Sequence, residues 1–150
     1  MQELLVVVTI VLVGLMVGVE LSVAAFVNPI FGRLPNDAGV AARSDGARVL
    51  GRVMPFWYIG SVLLGAIWAA QAWGRPQALT VAVAAALLVV SVVMSIVLLV
   101  PINARVARWS SEGVPVDWQQ QVGRWDGLHY IRVGIIVAAF VLLVLAGVAA

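Results

Sequence analysis

"LLVVVTIVLVGLMVGVELSVAAFVNP", residues 4–29, is an apolar run interrupted by a single carboxylate, Glu20, and closed by Asn28-Pro29. From Leu4 to Val27 it exceeds the roughly 20 residues that a helix needs to cross the hydrocarbon core of a bilayer. Three more stretches meet the same criterion: Met54 to Trp73, Ala78 to Ile102 and Tyr130 to Val148. The expected fold is all-α, a polytopic membrane four-helix bundle of up-down-up-down topology with short surface helices in its two long loops, and residues 1–150 are expected to form one transmembrane domain.

Composition agrees with a chain that lives in lipid. Of its 150 residues 63% are hydrophobic and 11% charged, against about 25% charged in ordinary soluble domains. The N-terminal MQELL lacks the basic residues of a secretory signal, and its apolar run is long for one, so the first span is expected to remain in the mature protein. The absence of cysteine excludes disulfides and thiolate metal sites. A single histidine excludes a bis-His haem and multi-His dinuclear centres.

The basic residues are nine arginines. Arg33, Arg43, Arg48 and Arg52 follow the first span, and Arg105, Arg108 and Arg124 lie between the third and fourth, with Arg132 just inside the fourth. Only Arg75, in a tight turn, marks the other side. The positive-inside rule then puts segments 28–53 and 103–129 in the cytoplasm and both termini outside. Acids interleave with these arginines, so the high pI reads as topology and no nucleic-acid partner is expected.

Small residues at four-residue spacing, Gly14 and Gly18, Ser61, Gly65 and Ala69, Gly134 and Ala138, let helices approach closely in lipid. Trp57, Trp73, Trp109, Trp118 and Trp125 fall near span ends, where aromatic anchors are expected. Apolar positions Trp118, Val122, Trp125 and Leu128, behind Asp117, predict that the fourth helix starts before the membrane. Ser44-Asp45 can cap a short helix leading into the second span, with Pro55 kinking or restarting it. Both loops are expected to rest on the membrane surface.

Glu20 precedes Asn28 by eight residues, which at helical rise sets it about 12 Å below the end of the first span. That end also receives Asn103 from the third span, and His129 and Arg132 from the fourth. Ser91 and Ser95 extend a weaker polar line deeper. An acid inside a span costs roughly 2.5–3.5 kcal/mol on insertion scales, so it normally faces the bundle interior and finds a partner. Arg132 and His129 share a helix face and make a Glu20, His129, Arg132 cluster sterically reasonable. A neutral Glu20 and one ionised against Arg132 or a protonated His129 both remain open. Each residue also has a plain structural role available: a buried pair, an interfacial histidine, a snorkelling arginine, and two asparagines beside helix-ending prolines.

Gly18-x-Glu20, Val27-Asn28-Pro29, Pro55-Phe56-Trp57, Pro101-Ile102-Asn103, Trp109, and Arg124-Trp125-x3-His129-x2-Arg132 together resemble the anthrone oxygenase-like family of small membrane proteins. The resemblance runs the length of the chain. It implies an integral-membrane monooxygenase acting on a phenolic, polycyclic, anthrone-like compound. The benzylic protons of an anthrone are acidic, and the resulting carbanion can pass an electron to dioxygen, so no cofactor beyond dioxygen is expected. On that reading His129, paired with Glu20, is the candidate base, and Arg132 and Asn103 stabilise the enolate oxygen. Asn28 orients substrate or caps the pocket, and Phe56 and Trp57, with Trp125, hold the planar ring system. The partners are a hydrophobic substrate and the bilayer, with the protein a monomer or homodimer.

Three alternatives stand beside it. Glu20, Asn103 and His129 could hold a single iron or copper ion. A buried glutamate in the first of four spans also resembles the small multidrug-resistance transporters, although two long arginine-bearing segments do not suit their short connections. An assembly subunit would need none of these side chains for small-molecule chemistry.

Overall fold

The computed structural model describes residues 2–149, excepting the side chain of Asn36. It is helical throughout, with no strand among the described residues. The first rod comprises α1 (Gln2–Ser22), a π-helical turn (Val23–Val27) and α2 (Asn28–Arg33). The second is α3 (Asn36–Gln71). The third comprises α4 (Ala78–Met94), a second π-helical turn (Ser95–Leu99), α5 (Val100–Val106) and the short α6 (Trp109–Glu112). The fourth is α7 (Trp118–Val148). Each rod contains a helix long and apolar enough to cross a membrane, so the chain is a multi-pass membrane protein. The rods close a ring in which α1 and α4 each pack against α3 and α7.

The expected helix ends at Asn28-Pro29 and at Asn103, after Pro101, are corrected by the structure. Both rods continue through these prolines. A proline inside a helix lacks an N–H and crowds the carbonyl four residues earlier. Here each π turn, ending two residues before its proline, widens the helix at the point of conflict. In the first rod the Asn28 N–H reaches back to Val23 O. The Ala24 carbonyl therefore loses its usual donor, and Pro29 cannot replace it. Tyr130 on α7 does so, its hydroxyl donating to Ala24 O at 2.7 Å.

The short helix expected to start at Ser44-Asp45 is also corrected. α3 begins at Asn36, well before the expected span and without a break at Pro55, so Ser44 lies inside the helix. Its Oγ sits 3.1 Å from both Ala107 O and Ser110 Oγ, joining α3 to the end of the third rod. α7 starts at Trp118, as its periodicity predicts. Val40, Ile102, Val106 and Trp109 form a second apolar cluster, against which Trp118 and Trp125 pack. Trp109 and Trp125 are thus packing residues of a helical cap, whereas Trp73 is 83% exposed. Among the small residues, Gly14 meets the Phe140 ring and Gly65 meets Ala85 and Leu88, while Gly18 and Gly134 face open space.

Candidate functional site

The two π turns and the cap leave the bundle incompletely filled at its arginine-rich end. A cavity of about 490 Å³ lies there, within the roughly 300–1,000 Å³ range of small-molecule pockets. Its wall is mostly apolar, with Val23, Met54 and Leu99 among the lining residues, and Glu20, Tyr58, Trp125 and Arg132 also contribute.

Glu20 on α1 and Arg132 on α7 meet in this wall. Arg132 Nη2 donates to Glu20 Oε2 at 2.7 Å, and Nη1 donates to Ser95 Oγ at 3.0 Å in the second π turn. Glu20 is 3% exposed and Arg132 8%. Burying two charges is costly, and mutual attraction at hydrogen-bond distance offsets that cost only when the geometry is good. The Arg132 guanidinium also lies 5.3 Å from the centre of the Tyr58 ring.

His129 sits one turn before Arg132 and is completely buried. Its Nε2 is 3.2 Å from Glu20 O and its Nδ1 2.9 Å from Arg132 Nη2. A carbonyl only accepts and a guanidinium only donates, so these partners assign the proton to Nε2 and the lone pair to Nδ1. Trp125 stacks on the imidazole, with centroids 4.6 Å apart and planes at 20°. The ring is thus fully engaged, and it is not part of the cavity wall.

Four buried polar atoms of the wall residues make no close hydrogen bond, Glu20 Oε1, Tyr58 OH, Trp125 Nε1 and Arg132 Nε, although the Tyr58 hydroxyl lies near enough to the Glu20 carboxylate to interact with it. Buried polar groups are nearly always paired. An acceptor and three potential donors are thus left unpaired on residues that line the cavity, the atoms themselves being closed off from solvent.

The remaining predicted residues divide. Asn28 and Asn103 line the cavity. Asn28 Nδ2 donates to Asp126 Oδ1 at 3.0 Å. The Arg43 guanidinium spans both Asp126 oxygens at 3.3 Å and also reaches Asn28 O. Asn103 Nδ2 donates to Ala47 O at 3.0 Å, clamping α5 to α3. Phe56 is a correction: α3 runs on past Pro55 and turns this ring outward, leaving it 77% exposed and away from the cavity. Trp57 is another, since its Nε1 donates to Leu12 O at 3.0 Å and ties α3 to α1 outside the wall.

The three residues of the alternative iron or copper site, Glu20, Asn103 and His129, are not arranged to suit a cation. Both imidazole nitrogens are engaged, the Asn103 amide is turned to a backbone carbonyl, and Arg132 places a positive charge on the only carboxylate of the trio. No group of three or more His, Cys, Asp or Glu side chains capable of holding a metal occurs among the described residues.

Tyr58 escaped the sequence reading. It lies three residues before Ser61 on the face that continues to Gly65, so extending that stripe by one turn toward the acid would have found it. The Arg43–Asp126 pair left no local signal, because 83 positions separate its members.

Fold and site define a small multi-pass membrane protein with an arginine–carboxylate pair built into the wall of an internal apolar cavity. The family model described as anthrone oxygenase matches residues 47–142, well over half of the chain, and the chain belongs to that family. The match includes Tyr58, Asn103, Trp125, His129 and Arg132, while Glu20 and Asn28 precede it. No curated protein and no solved structure gives a significant match.

Proposed function

We propose that the protein is an integral-membrane monooxygenase that converts an anthrone-like, phenolic polycyclic compound to the corresponding quinone with dioxygen. The observation that carries this reading is Glu20 in the cavity wall, with Oε2 held by Arg132 and Oε1 without a close hydrogen bond, the Tyr58 hydroxyl lying near the carboxylate. Family membership supports the reaction class. The arginine-rich end, by the positive-inside rule, is on the cytoplasmic side.

Glu20 Oε1, in place of His129, accepts a benzylic proton from the ring carbon opposite the ketone. The ketone oxygen gains the negative charge as the carbanion delocalises, and Arg132 Nε, with the Tyr58 hydroxyl, is the donor set available to it. The charge count does not change: the cavity holds one carboxylate and one guanidinium before the step, and one enolate and one guanidinium after it. Arg132 exchanges one anion for the other, so no uncompensated charge develops in the low-dielectric interior. The carbanion gives one electron to dioxygen, and recombination forms the carbon–oxygen bond. The resulting peroxide takes the proton back from Glu20. Loss of water, combining the remaining benzylic hydrogen with the distal oxygen, leaves the second ketone. One dioxygen is consumed per substrate, and no external reductant is required. His129 acts at one remove, holding Arg132 and the Glu20 backbone in register.

Transport is the less favoured reading. An organic cation bound at Glu20 would have to displace Arg132 from a 2.7 Å contact. Purified protein in detergent, supplied with an anthrone, should take up one equivalent of dioxygen per quinone formed, and E20Q should not. Absence of uptake by the native protein, with proton-coupled efflux of organic cations from vesicles, would establish the transporter instead.

A further inference from the structure

The solvent-exposed part of the cavity wall is confined to two facing rods. On α1 and α7 every lining residue is buried or half-buried. The exposed ones are Gly51, Pro55 and Ile59 on α3, with Arg48 a turn above, and Ile96, Val100 and Ala104 on the third rod. Ile59 is 53% exposed, Ile96 62% and Val100 50%. Both sets repeat at helical spacing, so each forms one edge along its rod.

The packing explains why these edges stand apart. Toward the far end, Gly65 lets α3 close onto Ala85 and Leu88 of α4. At the cap, Asn103 bonds Ala47 O, and a side chain on Gly51 would meet the Asn103 amide at 3.0 Å. Between these two closures α3 makes few close backbone contacts with the Ser95–Leu99 π turn. Gly51 and Gly65 are 14 residues apart, about 21 Å of helix. The π turn and Pro101 fall in this same stretch of the third rod.

We infer that this gap is a lateral window, between Pro55 and Ile59 on one side and Ile96 and Val100 on the other, through which a flat apolar solute enters the cavity from the bilayer. Its rims are apolar and lie on spanning helices, a surface that acyl chains wet and water does not. The polar cap opposes entry from the aqueous side: Arg43, Asp126 and Asn28 are bonded together there, and Ser44, Arg48 and Ser110 bridge α3 to α6. The occupant is a membrane-dissolved aromatic compound, in keeping with the proposed substrate class on which this part of the inference rests.

The test uses the full-length protein in phosphatidylcholine vesicles with a naphthalene carrying a photoactivated diazirine, and peptide mass spectrometry of the adducts. Labels are expected on α3 and on the third rod around the window and on residues deep in the cavity, such as Met54 and Leu99. I59W/I96W, which narrows the window with residues outside the acid–base site, should cause a severalfold loss of Met54 and Leu99 labelling while lipid-facing Leu63 and Leu145 label as before. I59A/I96A should increase cavity labelling and guards against a folding defect in the tryptophan variant. Unchanged cavity labelling in both variants, or labelling only by lipid-attached acyl diazirines and never by the naphthalene, would overturn the window as a solute route. Oxygen uptake separates the two proposals: native uptake with an unaltered KM in I59W/I96W sinks the window alone, whereas no uptake with window-dependent labelling sinks the oxygenase alone.

Discussion

Arg132 Nη2 lies 2.7 Å from Glu20 Oε2, an ion pair that joins the first and last rods across 112 positions of sequence. The same nitrogen stands 2.9 Å from His129 Nδ1. Because both charges are buried, removing one leaves the other uncompensated, which typically costs about 3–5 kcal/mol. E20L and R132L should each lower thermal stability in detergent strongly, and E20L/R132L should regain most of the loss while remaining inactive. Additive losses in the double variant would mean that the pair is not the coupled unit described here.

The reassignment of the base separates Glu20 from His129. H129N can preserve a donor toward Glu20 O but offers no imidazole lone pair. It should retain measurable oxygenase turnover, reduced through loosened Arg132, whereas E20Q should retain none. Equal and complete loss in both variants, with both proteins folded, would return the base to His129.

Tyr130 tests the local consequence of the first π turn. Its hydroxyl donates to Ala24 O, a carbonyl deprived of backbone donors by the turn and by Pro29. An unsatisfied buried carbonyl costs about 1–3 kcal/mol, so Y130F should destabilise by that order. P29A restores an N–H near the same carbonyl and should recover part of the loss when combined with Y130F. The expectation fails if the two changes are independent in a double-mutant cycle of unfolding midpoints.

How far the sequence reveals this molecule depends on the range of the contacts. The four rods were legible because long apolar runs respond to the bilayer, and Glu20 could be placed opposite His129 and Arg132 because helical rise converts residue counts into depth. The cap was less legible: Trp109 and Trp125 fit an interfacial anchor as well as a packed helix until Val40 and Ile102 are seen beside them. Phe56 and Trp57 follow a proline that commonly resets a helix. Their directions depend on α3 passing Pro55 unbroken, and nothing local to the three residues specifies that. The π turns, which shape the cavity, arise from the conflict of Pro29 and Pro101 with helices that tertiary packing keeps intact.

That difference between neighbouring aromatics yields a last expectation. Phe56 projects outward while Trp125 lines the cavity and stacks on His129. F56A should leave KM and kcat for an anthrone unchanged and shift the unfolding midpoint little, because its ring exchanges protein contact for lipid contact only slightly. W125F keeps an aromatic plane over the imidazole but removes the unpartnered indole N–H. It should therefore preserve stability and raise KM, while W125A loses both stacking and wall surface and should reduce kcat as well by exposing the Arg132–His129 contact. Steady-state oxygen uptake with the three variants decides the matter, and an F56A protein with a raised KM would place the ring system of the substrate on the wrong side of α3.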